Sequence, residues 1–286
     1  MLHLTAEKLS DHLHATAWLG AVGALTSFVA SRYGFFRFRE KAQNVLISTP
    51  ALIELLLIYF LVSFFAPHLL INIIMPIAKN LQTNWTSFFM VSMQLATEIL
   101  VVLLIALYAF AHKRINMRGI FKTSRSPLLT DFGIGALTWV IAFPVVAAID
   151  GIMESINIYF FGSEGPSQIA VEFIRMVANS NLLWLGLLIT IVIAPLIEEF
   201  IFRGVVQTYL RKRVKRMQAI VLSSIFFAGV HFAPSQGIGN IPLLVSIFTF
   251  GLYLGFIYER QGSLFASFSL HATFNALSII RILYAA

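Results

Sequence analysis

Two adjacent carboxylates, Glu198 and Glu199, lie inside an apolar run from Leu182 to Phe202. A charged side chain at the centre of a membrane helix costs roughly 2.5 to 3.5 kcal/mol on insertion scales, so an intramembrane acidic pair indicates a functional site. The (i, i+4) spacing on a helix places Glu199 beside Arg203, which predicts an ion pair. Glu198 points about 100° away around the same helix. We therefore expect Glu199 to be structural and Glu198 to remain unpaired and available for chemistry.

Two histidines and an asparagine lie on later apolar segments. His231 follows Phe227 by four residues, and His271 and Asn275 are also four apart, on one helix face. Counted inward from the basic loops at 1.5 Å per residue, Glu198 lies about 20 Å deep, His231 about 22 Å and His271 about 16 Å. A single membrane histidine can serve simply as a hydrogen-bond partner between helices. Because unrelated structural residues have no reason to agree in depth, we predict one shared, water-accessible site.

These residue types favour the hydrolysis of an amide bond. A glutamate beside a histidine can take a proton from water as a general base. A second imidazole with a carboxamide can donate hydrogen bonds to the oxyanion that forms on the attacked carbonyl. The absence of cysteine excludes thiol catalysis and cysteine-ligated zinc, and Gly-x-Ser-x-Gly and His-Glu-x-x-His are both absent. The sequence Gly237-Ile238-Gly239-Asn240 has an asparagine where an aspartyl protease of the Gly-x-Gly-Asp type needs its acid.

The composition predicts an all-α, polytopic bundle of membrane-spanning helices. Of 286 residues, 58% are hydrophobic and 12% are charged, whereas about a quarter are charged in soluble domains. Segments of about 20 apolar residues can cross a hydrocarbon core, and we expect about eight of them in one continuous membrane domain. Apolarity continues from Pro67 to Pro76, where a re-entrant turn is an alternative. The predicted spans are Ala15–Ala30, Ala51–Ile71, Ser87–Ala111, Gly133–Ile152, Leu182–Tyr209, Met217–Phe232, Ile241–Tyr258 and Leu264–Tyr284.

The distribution of basic residues predicts the orientation. Most of the 20 lysines and arginines fall in the loops after the first, third, fifth and seventh spans, as expected for cytoplasmic loops. Both termini are therefore predicted to be non-cytoplasmic, in an integral protein of the plasma (inner) membrane if the chain is bacterial. The net charge of +7 is interpreted as orientation and attraction to anionic membrane lipids, and we expect no nucleic-acid partner.

The N-terminal segment and one long loop allow further predictions. Residues Met1 to Asp11 lack the pattern of a cleaved signal peptide, so we expect the first apolar segment to be a retained anchor. The longest predicted extramembrane stretch is Met153 to Asn181. Within it, Ile169 to Ala178 is either an interfacial amphipathic helix or an ordinary connecting loop. The oligomeric state is not predicted.

Three motifs in order resemble the CAAX prenyl endopeptidase and bacteriocin-processing (CPBP, Abi) family. They are Glu198-Glu199-x-x-x-Arg203, Phe227-x-x-x-His231 and His271-x-x-x-Asn275. The resemblance covers about residues 182 to 280 and implies that 129–286 form the catalytic core, whereas 1–128 are N-terminal helices outside it. It also implies a mostly eight-helix fold and a glutamate-dependent intramembrane protease that cleaves a membrane-associated or lipidated peptide or protein.

The resemblance further implies a role for each motif residue. Glu198 would activate water with the help of His231, and His271 with Asn275 would stabilise the oxyanion. Glu199, Arg203 and Phe227 would support the site structurally. A zinc enzyme with Glu198, His231 and His271 as ligands is an alternative, but asparagine is a poor zinc ligand, so we expect no metal or other cofactor.

Two functions from other classes are compatible with the same residues. The first is a non-enzymatic immunity or scaffold protein that uses the polar cluster for helix packing. The second is a proton-coupled transporter in which Glu98, Glu198 and the histidines form a relay, although we find no internal symmetry of the kind that transporters show. Pro195, three residues before Glu198, is expected to free a backbone carbonyl and to kink the helix.

Overall fold

The computed structural model describes residues 2–38, 45–78, 84–112, 117–124, 126–161 and 168–284. Every regular element in these ranges is helical, apart from one isolated bridge between Lys122 and Ser263. The predicted all-α polytopic bundle is therefore confirmed. The helices are α1 (Leu2–Arg32), α2 (Thr49–Phe60), α3 (Ala66–Ala78), α4 (Asn84–His112), α5 (Met117–Phe121), α6 (Leu128–Phe161), α7 (Ile169–Ala178), α8 (Leu183–Leu188), α9 (Ala194–Glu199), α10 (Thr208–Arg211), α11 (Arg216–Gly229), α12 (Asn240–Gln261) and α13 (Leu264–Tyr284).

Seven helices within the described ranges are long and apolar enough to cross a membrane, and the predicted sixth span is not among them. That span was predicted to run from Met217 to Phe232, but α11 has 14 residues and ends at Gly229. At 1.5 Å per residue α11 is about 21 Å long, shorter than the hydrocarbon core of about 30 Å. The chain then turns at His231 and enters a 3₁₀ helix, Pro234–Gly239, which leads into α12. His231 therefore lies on a turn and not within a helix.

Other boundaries also differ from the predicted ones. No re-entrant turn separates α2 from α3 in the described chain, because the π-helical segment Leu61–Phe65 joins them into one continuous helix. Helix α6 continues nine residues beyond the predicted end at Ile152, to Phe161, so much of the predicted loop is helical. Of the two alternatives for Ile169 to Ala178, the helix is present, as α7, and the ordinary connecting loop was wrong; Ile174 and Val177 are buried.

The loops that were predicted to be cytoplasmic lie together at one end of the bundle. Arg260 Nε donates to the Phe35 carbonyl oxygen at 2.7 Å, and the Arg216 guanidinium lies 4.7 Å from the Phe38 ring centroid. The carbonyl of Gly262 accepts a hydrogen bond from Thr123 N at 2.9 Å. Gly262 ends α12 in the left-handed conformation (φ 59°), which glycine adopts without strain. Parts of two basic loops, 39–44 and 113–116, lie outside the described residues, and the side of the membrane remains a prediction.

Helix α6 packs against α1, α12 and α13, and α11 packs against α12. The continuous helix Leu183–Arg211, called the site helix below, contacts α13 and elements of both halves of the chain. Its side chains Ile201 and Phe202 are fully buried in the main apolar core, together with Leu254 and Leu264. The residues that carry the three motifs therefore surround the centre of the bundle.

Candidate active site

Glu198 and Glu199 lie between two π-helical segments of the site helix. The segments are Ile189–Ile193 and Phe200–Gln207, and α9 (Ala194–Glu199) separates them. A π-helical segment widens the helix and shifts the angular position of the residues that follow, and such segments are frequent at functional sites. The directions of the two carboxylates therefore depend on backbone geometry that helical periodicity alone does not predict.

The predicted ion pair between Glu199 and Arg203 is confirmed. Arg203 Nη1 lies 3.3 Å from Glu199 Oε1, and neither side chain is exposed. Arg203 Nη2 also donates to the Gly251 carbonyl at 3.3 Å, and its guanidinium carbon lies 4.2 Å from the centroid of the Phe227 ring. A buried ion pair of this kind needs such additional contacts, because burial removes both charges from water.

His271 contacts both glutamates. Its Nδ1 lies 3.0 Å from Glu199 Oε1, within hydrogen-bond distance, and its Nε2 lies 3.7 Å from Glu198 Oε2. Because a carboxylate can only accept, the short contact means that Nδ1 carries a hydrogen and donates it to Glu199. The edge-to-face rings of Phe227 and Phe250 hold the imidazole, with ring centroids 5.8 and 5.3 Å away. Glu199 thus orients His271 and directs its Nε2 toward Glu198.

The two carboxylates differ in exposure. The Glu198 side chain is 20% exposed, whereas that of Glu199 is 0% exposed. Glu198 is therefore the less enclosed of the two acids. A third acid, Glu98 on α4, accepts a hydrogen bond from Gln94 Nε2 at 2.8 Å and lies within electrostatic range of Glu198. Glu98 is not part of the three motifs, although an acid within an apolar span already indicated that it could belong to the site.

His231 is held by the turn that follows α11. Its Nδ1 is 2.7 Å from the carbonyl oxygen of Phe227, so Nδ1 carries the hydrogen and the neutral ring leaves Nε2 as an acceptor. Asn240 secures the same turn, since it accepts from Ala233 N at 3.0 Å and donates to Ala233 O at 2.8 Å. Among the described contacts of 4 Å or less, Glu198 has His271 as its histidine partner and not His231. The predicted reach of His231 to Glu198 through one water stays a prediction.

Asn275 is one turn further along α13 than His271. Its Nδ2 donates to the carbonyl oxygen of Thr190 at 2.8 Å. A primary amide has two N–H hydrogens, so one remains for another acceptor. The structure therefore brings Asn275 to the site helix, but to the main chain ahead of Pro195 and not to either glutamate.

The zinc alternative required Glu198, His231 and His271 in one ligand set. No group of three or more histidine, aspartate or glutamate side chains with metal-binding geometry occurs in the described parts of the chain. The structure therefore does not gather these three residues into a tetrahedral zinc site, and the zinc alternative also stays a prediction. The metal-free mechanism stays a prediction.

A line of polar contacts continues from the site toward the basic end of the bundle. Gln207, four residues after Arg203, donates to the Gly255 carbonyl at 3.0 Å and accepts from Ser223 at 3.0 Å. One turn further, Arg211 Nε lies 3.2 Å from Glu259 Oε2. The partners on α12 repeat every four residues, as do the donors on the site helix. Sequence reasoning missed this seam, although its spacing of four was visible on both helices.

Residues 180–277 match the family described as "Type II CAAX prenyl endopeptidase Rce1-like". This stretch of the chain, called the Rce1-like region below, is similar to that family. The match confirms the resemblance seen in the three motifs, and all seven motif residues lie within the Rce1-like region. The residues before it are not covered by this family model.

Two relatives show weaker likeness over longer parts of the chain. An uncharacterized protein of Mycoplasma capricolum is 22% identical over 295 residues, which cover 99% of this chain and 79% of that protein. A Bacillus subtilis protein named "Putative membrane peptidase YdiL" is 22% identical over 159 residues, 56% of this chain and 61% of that protein. No solved structure matches the chain. Together with the apolar helices, the Rce1-like region indicates an integral multi-pass membrane protein and favours a protease.

Proposed function

We propose that this chain is an intramembrane endopeptidase that hydrolyses a peptide bond in a membrane-associated or lipidated protein or peptide. The observation that carries the proposal is the difference between the two adjacent glutamates. Glu199 is fully buried and binds both Arg203 and His271, whereas Glu198 is 20% exposed with the second nitrogen of His271 only 3.7 Å away. An accessible carboxylate beside an oriented imidazole suits general-base chemistry.

Glu198 acts on the water molecule that attacks the scissile carbonyl. It accepts a proton from the water as the oxygen bonds to the carbonyl carbon, and it later returns this proton to the leaving nitrogen. His231 assists, because the bond from its Nδ1 to the Phe227 carbonyl leaves the lone pair of Nε2 as an acceptor for water. No external oxidant, reductant or nucleophile other than water is needed.

His271 and Asn275 stabilise the oxyanion of the tetrahedral intermediate. When both nitrogens of His271 carry hydrogens, Nδ1 donates to Glu199 and Nε2 can donate to the oxyanion. The second hydrogen of the Asn275 amide is the other donor, since the first is bound by Thr190. Donors fixed before the reaction stabilise developing charge without reorganisation, and removal of one such donor typically costs a factor of about 10² to 10³ in rate.

The surroundings of the site favour an apolar or membrane-embedded substrate. The site helix crosses an apolar bundle, and Phe202 and Phe227 are buried beside the motif residues. The description of the matching family names a CAAX prenyl endopeptidase, and a lipidated C-terminus would bring a peptide to the membrane by itself. The proposed substrates are therefore membrane-anchored peptides and not soluble ones.

Comparison of Glu198→Gln with Glu54→Gln tests the proposal. Glutamine keeps the size of the side chain but cannot accept a proton from water, so we expect cleavage to fall by at least about 10²-fold while the protein remains folded. Glu54 lies exposed on α2, hydrogen-bonded by Tyr108, and its substitution serves as the matched control. Membranes that carry each variant are compared by labelling of new protein N-termini and by cleavage of a quenched, farnesylated CAAX peptide.

The expected result is a set of N-termini that disappear with Glu198→Gln and persist with Glu54→Gln. Equal N-termini and equal peptide cleavage in the wild type and Glu198→Gln would overturn the general-base role. If neither the wild type nor any variant produced new N-termini in the native membranes, the scaffold interpretation would replace the protease.

A further inference from the structure

The main chain changes its hydrogen-bond register just before Glu198. In the π-helical segment Ile189–Ile193, bonds span five residues, and the Ala194 N–H donates to the Ile189 carbonyl. In the same register, the next carbonyl, that of Thr190, would accept from the N–H of residue 195. Residue 195 is proline, which has no N–H. The Thr190 carbonyl is therefore left without the main-chain donor that its position requires.

The side chain of Asn275 supplies the missing donor. Its Nδ2 lies 2.8 Å from the Thr190 oxygen, although the two residues are 85 positions apart in the chain. A carbonyl without a hydrogen-bond donor inside an apolar bundle is unfavourable, so this bond stabilises the folded protein. It is also directional, because an amide hydrogen aims near the plane of the acceptor carbonyl.

This bond and the contacts of His271 connect α13 to the site helix at two levels. His271 meets Glu198 and Glu199, and Asn275, four residues later, meets Thr190. Four residues are about 6 Å along a helix. Two contacts at different heights on one face fix both the rotation and the axial position of α13, which one contact alone does not do.

We propose that Pro195 is a positioning residue of the site. By removing one main-chain donor, it leaves the Thr190 carbonyl for Asn275, and the resulting bond sets the rotation of α13 and the direction of the second Asn275 hydrogen. The same bond holds the site helix ahead of Glu198 in its π geometry. The catalytic consequence rests on the proposed function, but the coupling between Pro195 and Asn275 does not.

A double-mutant cycle of Pro195→Ala and Asn275→Ala measures this coupling by thermal unfolding in detergent. Asn275→Ala alone should lower the midpoint by about 2 to 8 °C, because it leaves the Thr190 carbonyl unsatisfied. In the Pro195→Ala background the new N–H of residue 195 can satisfy that carbonyl, so the same substitution should cost less than half as much. Thr190→Val is the matched control, since it removes the hydroxyl that binds Gly186 but keeps the carbonyl, and it should leave the coupling intact.

A second measurement reports the geometry of the site without requiring cleavage. The chain has no cysteine, so Glu198→Cys creates a single thiol whose rate of labelling by a maleimide reports its access to water. We expect Pro195→Ala and Asn275→Ala each to change this rate severalfold. Met217→Cys, at a position that is 55% exposed, should be labelled at the same rate in all backgrounds.

The inference is overturned if Asn275→Ala lowers the midpoint equally in both backgrounds and the labelling rate at position 198 stays constant. A smaller loss in the Pro195→Ala background with an altered labelling rate supports it. Because neither arm measures proteolysis, a Glu198→Gln variant that still cleaves would defeat the proposed function and leave this result standing.

Discussion

The apolar helices of the N-terminal part and those of the Rce1-like region bury different amounts of their surface. In the most apolar windows of Leu9–Arg32 and Thr49–Leu70, 17% and 22% of the residues are buried inside the protein. The corresponding values are 44% for Leu183–Arg211, 56% for Pro234–Gln261 and 33% for Leu264–Tyr284. The apolar residues of the first two helices therefore face mainly outward, whereas those of the site helix and α12 face mainly other helices.

The two parts also differ in what holds the helices together. Lipid tails are as apolar as leucine, so helices in a membrane associate through close packing and interhelical hydrogen bonds. The seam from Glu199 through Arg203 and Gln207 supplies both in the Rce1-like region, where glycines on α12 allow a close approach. In the Rce1-like region, stability and the proposed chemistry therefore depend on the same contacts. We expect substitutions in the two parts of the chain to differ in their effects.

Arg203→Met should have the largest effect. It removes the cation and leaves the buried carboxylate of Glu199 without its charge partner, which destabilises proteins by about 3 to 5 kcal/mol. His271 should also lose its orientation, because Glu199 would no longer be held in place. The free energy of unfolding, measured by denaturant in detergent micelles, tests this expectation.

Arg213→Met is the matched control for that experiment. Arg213 is exposed at the basic end, where its guanidinium carbon lies 3.5 Å from the Tyr209 ring centroid. An exposed cation–π contact contributes about 0.5 to 1 kcal/mol. Equal losses in the two variants would contradict the special role of the buried seam.

Gly255→Ala should have an intermediate effect. A Cβ atom at this position would lie 2.7 Å from Gln207 Oε1 and 3.0 Å from Ile220 Cγ2. The overpacking should cost about 1 to 3 kcal/mol, and displacement of Gln207 would also weaken its bond to the Gly255 carbonyl. Thermal unfolding of the purified protein measures the loss.

Gly133→Ala on α6 is the comparison for Gly255→Ala. A Cβ atom at Gly133 would have nothing within 4 Å, so the substitution should be neutral or stabilise the helix by up to about 1 kcal/mol. A stabilised Gly255→Ala variant would mean that α11 and α12 can separate without harm.

Leu107→Ala should have the smallest effect. Its side chain on α4 is 62% exposed and faces away from the bundle, and substitutions of such residues usually change stability by less than about 0.5 kcal/mol. A loss above about 1 kcal/mol in the native membrane, absent in detergent, would mean that another protein or a second copy covers this face. That result would contradict the expectation that the N-terminal helices face mainly lipid.

The local features of the fold could be predicted from the sequence. Apolar run lengths predicted the Ser87–Ala111 and Leu264–Tyr284 spans, and the distribution of basic residues predicted which loops meet at one end. The sixth segment is helical as predicted but ends at Gly229 and not at Phe232, because composition reports apolarity and does not show where the chain turns. The two π-helical segments around Glu198 were not predicted, since no local pattern distinguishes them from α-helix.

The sequence by itself determined the pair of Glu199 and Arg203, because a spacing of four on a helix brings two side chains together wherever the helix lies. It also determined that Pro195 would free a carbonyl, because proline has no N–H. Only the tertiary structure decided that Asn275 binds this carbonyl and that His271 stands between the two glutamates. Those contacts join residues 72 and 85 positions apart, and they depend on the rotation and height of packed helices, which spacing along the chain does not fix.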